Sequence, residues 1–155
     1  MLRKISSLAM IAIFSTRLSS LAYAGPTEDA SAVIDQWVAA FNSGDVEKMV
    51  ATYAPDATLH GTVNPTLASG HDALRSYFGP PAKNKPQVKM GGSTVTVLSD
   101  SAVVLVGFYE FYGPQPGRLL VTLPARYTFV VARRDDQWRI VHHHSSARPA
   151  LNRAR

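Results

Sequence analysis

Residues 118–146 read RLLVTLPARYTFVVARRDDQWRIVHHHSS, two apolar, β-branched and aromatic runs separated by Arg134-Asp135-Asp136-Gln137. Runs of this kind around a short polar turn form a β-hairpin. Side chains alternate faces along a strand, so Arg126, Thr128 and Val130 share one side and Tyr127, Phe129 and Val131 the other. The same alternation groups His142 and His144 with Trp138 and Ile140 and turns His143 away. The hairpin's far end thus carries the densest polar chemistry in the chain.

Upstream the texture stays β as far back as Ser93. Val95 and Val97, then Ala102 to Tyr112, precede the hairpin, joined by Leu98-Ser99-Asp100-Ser101 and Gly113-Pro114-Gln115-Pro116-Gly117. Consecutive strands with tight turns form an antiparallel meander. Lys83 to Lys89 begins a strand that Gly91-Gly92 bends or bulges. The first half is helical. Pro26 to Ser43 places Val33, Ile34, Trp37, Val38, Ala40 and Phe41 at helical spacing, capped by Thr27 and stopped at Gly44. A short helix over Asp45 to Tyr53, a strand over Ala57 to His60, a loop over Gly61 to Ser69 and a helix over His71 to Phe78 follow. Gly79-Pro80-Pro81 is expected to end that helix hard, since proline lacks the amide donor. The fold class is therefore α+β: a curved antiparallel sheet wrapped around about three N-terminal helices, a cone with a pocket at its mouth.

Hydrophobic residues make up 46% of the 155 and charged ones 17%, which suits a packed globular domain. The chain has no cysteine, so disulfides and thiolate chemistry are excluded. The net charge of +5 is concentrated at the ends, in Arg3, Lys4 and Arg17 and in Arg148, Arg153 and Arg155. Nucleic-acid binding needs a clustered basic face, which the sequence lacks, and no nucleic-acid partner is expected. Arg3 and Lys4, the apolar stretch Ile5 to Phe14 and Ala22-Tyr23-Ala24 fit a secretory signal cleaved near Ala24, which implies a periplasmic or secreted protein. That stretch is too short to span a bilayer, so no stable membrane insertion is expected. The chain divides into a signal peptide (1–24), one domain (25–147) and a basic tail (148–155).

Three stretches carry a family resemblance: Phe41-Asn42-Ser43-Gly44-Asp45, Gly70-His71-Asp72-Ala73-Leu74-Arg75-Ser76-Tyr77-Phe78, and Arg133-Arg134-Asp135-Asp136-Gln137-Trp138 running into His142-His143-His144-Ser145-Ser146. In this order they resemble the nuclear transport factor 2-like, or cystatin-like, cone. Within it the chain is most similar to the association domain of calcium/calmodulin-dependent protein kinase II and to the bacterial SgcJ/EcaC and SnoaL-like groups. The resemblance implies a dimer through the sheet face, or a larger ring, and a pocket inside the cone. The kinase domain carries arginines where this chain has Phe129 and Ser145, so the carboxylate site that those arginines imply does not transfer. Arg126 is the available substitute.

Arg126 is a pocket cation for an anionic or carbonyl ligand, or a structural ion pair or dimer contact. His142 and His144, at i and i+2, can share a metal or relay a proton. A metal needs a third ligand, for which His60, His71 or Glu110 is available but not demanded by spacing, so no metal and no cofactor are expected. The other reading is that a histidine fixes the sheet end by a hydrogen bond. Tyr109 and Phe111 share a face as an aromatic lining, with Glu110 and Tyr112 opposite. Asp56 and Asp72 have turn and capping duties. Related cone-shaped isomerases and dehydratases use a buried aspartate, and no aspartate here matches. The ligand set is accordingly Arg126, His142, His144, Tyr109 and His60, with His142, His144 and Arg126 as catalytic candidates. Three readings stand: an exported dimeric cone that binds a small molecule, a cofactor-independent isomerase or dehydratase on the same pocket, and an oligomerisation module. Whether the protein is an enzyme stays open at this point.

Overall fold

The computed structural model describes residues 25–115 and 118–149. The expected signal segment, the tip of the Gly113–Gly117 turn and residues 150–155 of the tail lie outside the described residues. Helix α1 (Pro26–Ser43) starts on Pro26, whose missing amide costs nothing in a first turn, with Gly25 rather than Thr27 at the cap position. It ends on Gly44, whose φ of 72° lets its N–H reach back to the carbonyls of Ala40 and Phe41. Asp45 caps the short α2 (Val46–Ala51) by accepting from the Lys48 amide at 3.0 Å. Strand β1 (Tyr53–His60), strand β2 (Leu67–Ser69) and helix α3 (Gly70–Ala82) follow. The meander β3 (Gln87–Ser99), β4 (Ala102–Gln115), β5 (Arg118–Arg134) and β6 (Gln137–Ala147) completes the fold.

Pairing gives one six-stranded sheet in the order β2-β1-β6-β5-β4-β3, antiparallel except where β1 runs parallel to β6. The sequence expectation of α+β layers is met, with α1 laid across one face of the sheet. Trp37 of α1 is fully buried and its ring lies 5.4 Å from Phe129 and 6.3 Å from Tyr109, while Phe41 sits 5.3 Å from Phe111. These contacts identify the inner face. The Asn42 amide stitches the end of α1 to β3, accepting from the Val88 amide at 2.7 Å and donating to its carbonyl at 3.1 Å. That is the structural work of the Phe41–Asp45 motif.

Element boundaries also change: α2 ends at Ala51 and β1 begins at Tyr53, where a helix through Tyr53 and a strand from Ala57 were expected. The three-residue β2, too short to show a period, lies in the segment expected as loop. The helix expected to stop at Phe78 continues through Pro80 and Pro81 to Ala82. Proline's fixed φ suits a helix, and in the last turn its missing amides break few bonds. The chain then tightens, with the Asn84 amide donating to Pro81 at 2.9 Å. At the other hairpin end Asp135 and Asp136 take φ of 48° and 60°. Two left-handed residues in succession are the two-residue turn whose twist matches paired strands. No helix among the described residues is long and apolar enough to cross a membrane.

Two of the sheet's irregularities bear on the candidate site. Between Met90 and Ser93 the pairing with β4 shifts, a bulge at Gly91-Gly92 as the glycine pair suggests. A second shift lies in β6, where Val131 pairs with Ile140 but Val130 pairs with His142, so Val141 is an extra residue. It reverses the facing of everything after it. Ile140, His143 and Ser145 point inward, at 0%, 2% and 5% exposure, and His142 and His144 point outward. The expected grouping of His142 and His144 with Ile140 is thereby corrected: the pair does share a face, but the opposite one.

Candidate functional site

The inner face holds a polar chain sealed in aromatic packing. His143 Nδ1 lies 2.9 Å from the Tyr53 hydroxyl and His143 Nε2 lies 3.2 Å from the Tyr109 hydroxyl. A neutral imidazole has one donor and one acceptor, so one phenol donates to His143 and the other accepts from it. Phe129 stacks on the imidazole at 3.9 Å and Trp37 meets it edge-on at 5.5 Å. Burial, and then the charges His142 and His144 can carry, hold His143 well below the ordinary histidine range. Burial drives the Tyr53 and Tyr109 phenols upward, the Ser145 hydroxyl pulling Tyr109 the other way. All three groups are therefore neutral near pH 7.

Beside this chain opens a cavity of about 220 Å³. Trp37, Phe41, Tyr77, Tyr109, Phe111 and His143 line it, with Thr62 and Ser145, hydrogen-bonded to each other, as further polar groups. Among the described residues no aspartate, glutamate, lysine or arginine lines it. Gly61 makes room for one wall, because a Cβ there would lie 2.3 Å from the Tyr77 ring. The Trp37 indole N–H is buried without a hydrogen-bond partner among the described residues. An orphaned buried donor is costly unless something else accepts from it.

The outer face carries most of the residues expected at the site. Arg126 is exposed and its Nε donates to Ser146 Oγ at 2.9 Å. With His144, Thr128, Val106 and Phe108 it borders an open depression of about 630 Å³ above the Gly91-Gly92 bulge. His60 stands beside the pair His142 and His144, and Thr58 Oγ1 lies 2.8 Å from His142 Nδ1. Arg148 lies over the Phe108 ring at 4.6 Å. Glu110 is exposed on this side, as ordinary surface.

The expected set thus divides. Arg126, His60, His142 and His144 share the outer face, and Tyr109 alone lies inside. Arg126 does not stand in for the two arginines absent at Phe129 and Ser145, because those positions face inward and Arg126 does not. The interior residue that sequence reasoning turned away, His143, is the hub of the polar chain. Its partner Tyr53, read as part of the second helix, begins β1 instead. One signal was present: Ile140-Val141, two apolar residues side by side in an otherwise alternating strand, marks the place where alternation slips. His71 stands apart from both groups, 3.1 Å from the Tyr53 carbonyl.

A curved sheet closed by helices on one face, with a pocket inside, defines the nuclear transport factor 2-like, cystatin-like cone. Residues 27–149 match the calcium/calmodulin dependent protein kinase II association domain family, and the chain belongs to it. A solved Xanthomonas campestris protein assigned to that association domain is 33% identical, over 83% of this chain and 95% of its own, with a TM-score of 0.74. Two more distant structures share the fold. A Streptomyces avermitilis protein described as a dehydratase of the NTF2-like family is 19% identical, over 80% of this chain and 97% of its own, at TM-score 0.69. A ketosteroid isomerase-like protein of Erwinia carotovora atroseptica is 17% identical, over 79% and 95%, at TM-score 0.68.

Proposed function

We propose that the protein is a self-associating cone domain that holds a small, uncharged, ring-sized molecule in its interior. The observation that carries this reading is the cavity's lining: aromatic walls, no charged side chain among the described residues, and neutral His143, Tyr109, Ser145 and Thr62 at its polar points. An apolar cavity of about 150 Å³ takes benzene, so about 220 Å³ suits one substituted ring. A charged ligand would be stripped of water with no counter-charge to meet it.

The test is a thermal-shift and calorimetric comparison of phenol, indole and cyclohexanone with benzoate. Neutral rings should stabilise the protein and benzoate should not. Ser145→Ala and Tyr109→Phe should weaken the neutral binders. Preference for benzoate, or indifference to both substitutions, refutes the reading.

A second reading places an isomerase- or dehydratase-like reaction in the same cavity. The Tyr53–His143–Tyr109 chain favours it, since it can pass a proton along two hydrogen bonds, and the cone structures named as dehydratase and ketosteroid isomerase-like are compatible with it. Deuterium exchange at the α-carbon of bound cyclohexanone, lost in Tyr109→Phe, would support catalysis, and its absence restricts the site to binding.

Self-association is supported by family membership and by Val106 and Phe108, 39% and 48% exposed on the outer face. Export is supported by the basic start, the apolar stretch and Ala22-Tyr23-Ala24. Cleavage after Ala24 would leave α1 whole, because it begins at Pro26. Intact mass of the protein recovered from the periplasm or medium checks the cleavage point.

A further inference from the structure

We infer that His60, His142 and His144 form a chelating site for a divalent transition cation of the zinc, nickel and copper kind, on the sheet face opposite the cavity. Spacing in the sequence supplied only two ligands, and the fold supplies the third. The parallel pairing of β1 with β6 sets Thr58 opposite His142 and His60 opposite His144. All three imidazoles leave the sheet on the same side. The His60 ring centre lies 6.3 Å from that of His142 and 6.1 Å from that of His144.

Among the described residues no group of three histidine, cysteine, aspartate or glutamate side chains is placed to hold a metal ion as it stands. Two imidazoles sharing a tetrahedral ion, with metal–nitrogen bonds near 2.0 Å, have ring centres about 5 Å apart. The His60 ring therefore closes on each of the other two by about 1 Å on binding. His60 and His144 are exposed and His142 half-buried, so side-chain rotation in solvent provides that movement. Water completes the coordination.

The surroundings suit a metal. Thr58 Oγ1 lies 2.8 Å from His142 Nδ1, and by accepting from Nδ1–H it would hold the tautomer that leaves Nε2 free, as hydrogen-bond partners of ligating histidines do. Across β5 the facing residues are Val130 and Thr128, and the nearest cation there, Arg126, is turned to Ser146. An all-imidazole donor set selects zinc, copper or nickel over magnesium or calcium.

The test is calorimetric titration of the full chain, carrying no added histidine tag, with zinc chloride and magnesium chloride at pH 7.5. Zinc should bind once per chain and magnesium not at all. His142→Ala and His144→Ala should each weaken zinc by more than about tenfold, and Thr58→Val by about tenfold. His71→Ala should leave zinc binding unchanged. Electron paramagnetic resonance of the copper-loaded protein should show three coordinating nitrogens, falling to two in His60→Ala. Should His142→Ala fail to fold, the exposed His60 and His144 variants decide. Absent zinc uptake, equal affinity in the His144 variant, or loss in His71→Ala overturns the assignment.

Discussion

Acid should expose the cost of keeping His143 neutral. Its side chain is sealed at 2% exposure between two phenols and against Phe129, and burial, then His142 and His144, lower its proton affinity well below the ordinary value of 6.5. In the unfolded chain the same imidazole takes up a proton near pH 6.5. The unfolded state then binds more protons than the folded one, so stability rises with pH across this window. The contribution is complete above pH 6.5 and is lost as pH falls from there toward the folded value. One proton sets a limiting slope of about 1.4 kcal/mol per pH unit. A histidine that stays neutral throughout would thus lower stability by at most about 2 kcal/mol between pH 7.5 and 5. For a domain of this size, that is a fall in Tm of roughly 6–10 °C.

The carboxylates do not confuse this window. Asp45, held low first by the Lys48 amide, and Glu47, held low first by Arg75, lose their contributions only as pH falls below ordinary values of 3.8 and 4.5. Partly buried His142, also lowered, adds a smaller slope of the same sign. The assay is urea unfolding at half-unit intervals from pH 7.5 to 5 for wild type, His143→Phe and His142→Asn. His143→Phe keeps a ring in the aromatic stack but leaves two phenols short of a partner, at about 1–3 kcal/mol each. It should therefore be weaker at pH 7.5 and yet lose less on acidification. An identical slope in wild type and His143→Phe refutes a neutral buried His143 as the source.

Other substitutions test neighbouring steps. Tyr109→Phe should destabilise by about 1–3 kcal/mol in urea, because it strands His143 Nε2, and unchanged stability would show that this hydrogen bond contributes nothing. Gly107→Ala should cost roughly 1–3 kcal/mol, since its Cβ would sit 2.5 Å from the Gly92 carbonyl and 2.7 Å from the Tyr127 hydroxyl; equal unfolding midpoints would mean the bulge yields freely. Asp136→Gly should stabilise by roughly 0.5 kcal/mol, as glycine suits the left-handed second turn position, and a loss would contradict the turn assignment. Phe108→Asp should reduce the mass measured by light scattering if the outer face joins two copies, and an unaltered mass moves the interface elsewhere.

Most of the sheet was legible because its determinants are local. The alternation in Arg118–Arg134, the Asp-Asp turn and the glycine pair at 91–92 each set backbone geometry within a few residues. Sequence places the end of helix α3 too early because Pro80 and Pro81 resemble a stop, whereas in a last turn proline only removes donors that have few acceptors left. What sequence did not yield was the facing of the histidines. Side-chain alternation is a strict parity, and one inserted residue inverts everything beyond it. Val141 is such a residue. Its effect is visible only against β5, where Val130 and Val131, adjacent in sequence, pair with His142 and Ile140.

Alternation sets His142 and His144 on one face of the strand and His143 on the other, and the bulge at Val141 decides that His143 is the inner one. The middle imidazole closes an uncharged cavity between Tyr53 and Tyr109, while its neighbours stand outside with His60. The two sites share backbone but none of the hydrogen-bond partners described above, and substitutions at positions without shared partners combine close to additively. Tyr109→Phe should accordingly weaken phenol binding and leave zinc affinity within about twofold, and His144→Ala should do the reverse. The double variant should show both losses in full. Loss of zinc in Tyr109→Phe, with the fold retained by circular dichroism, would mean that the strand transmits strain between its faces, and the two sites would then be one coupled device.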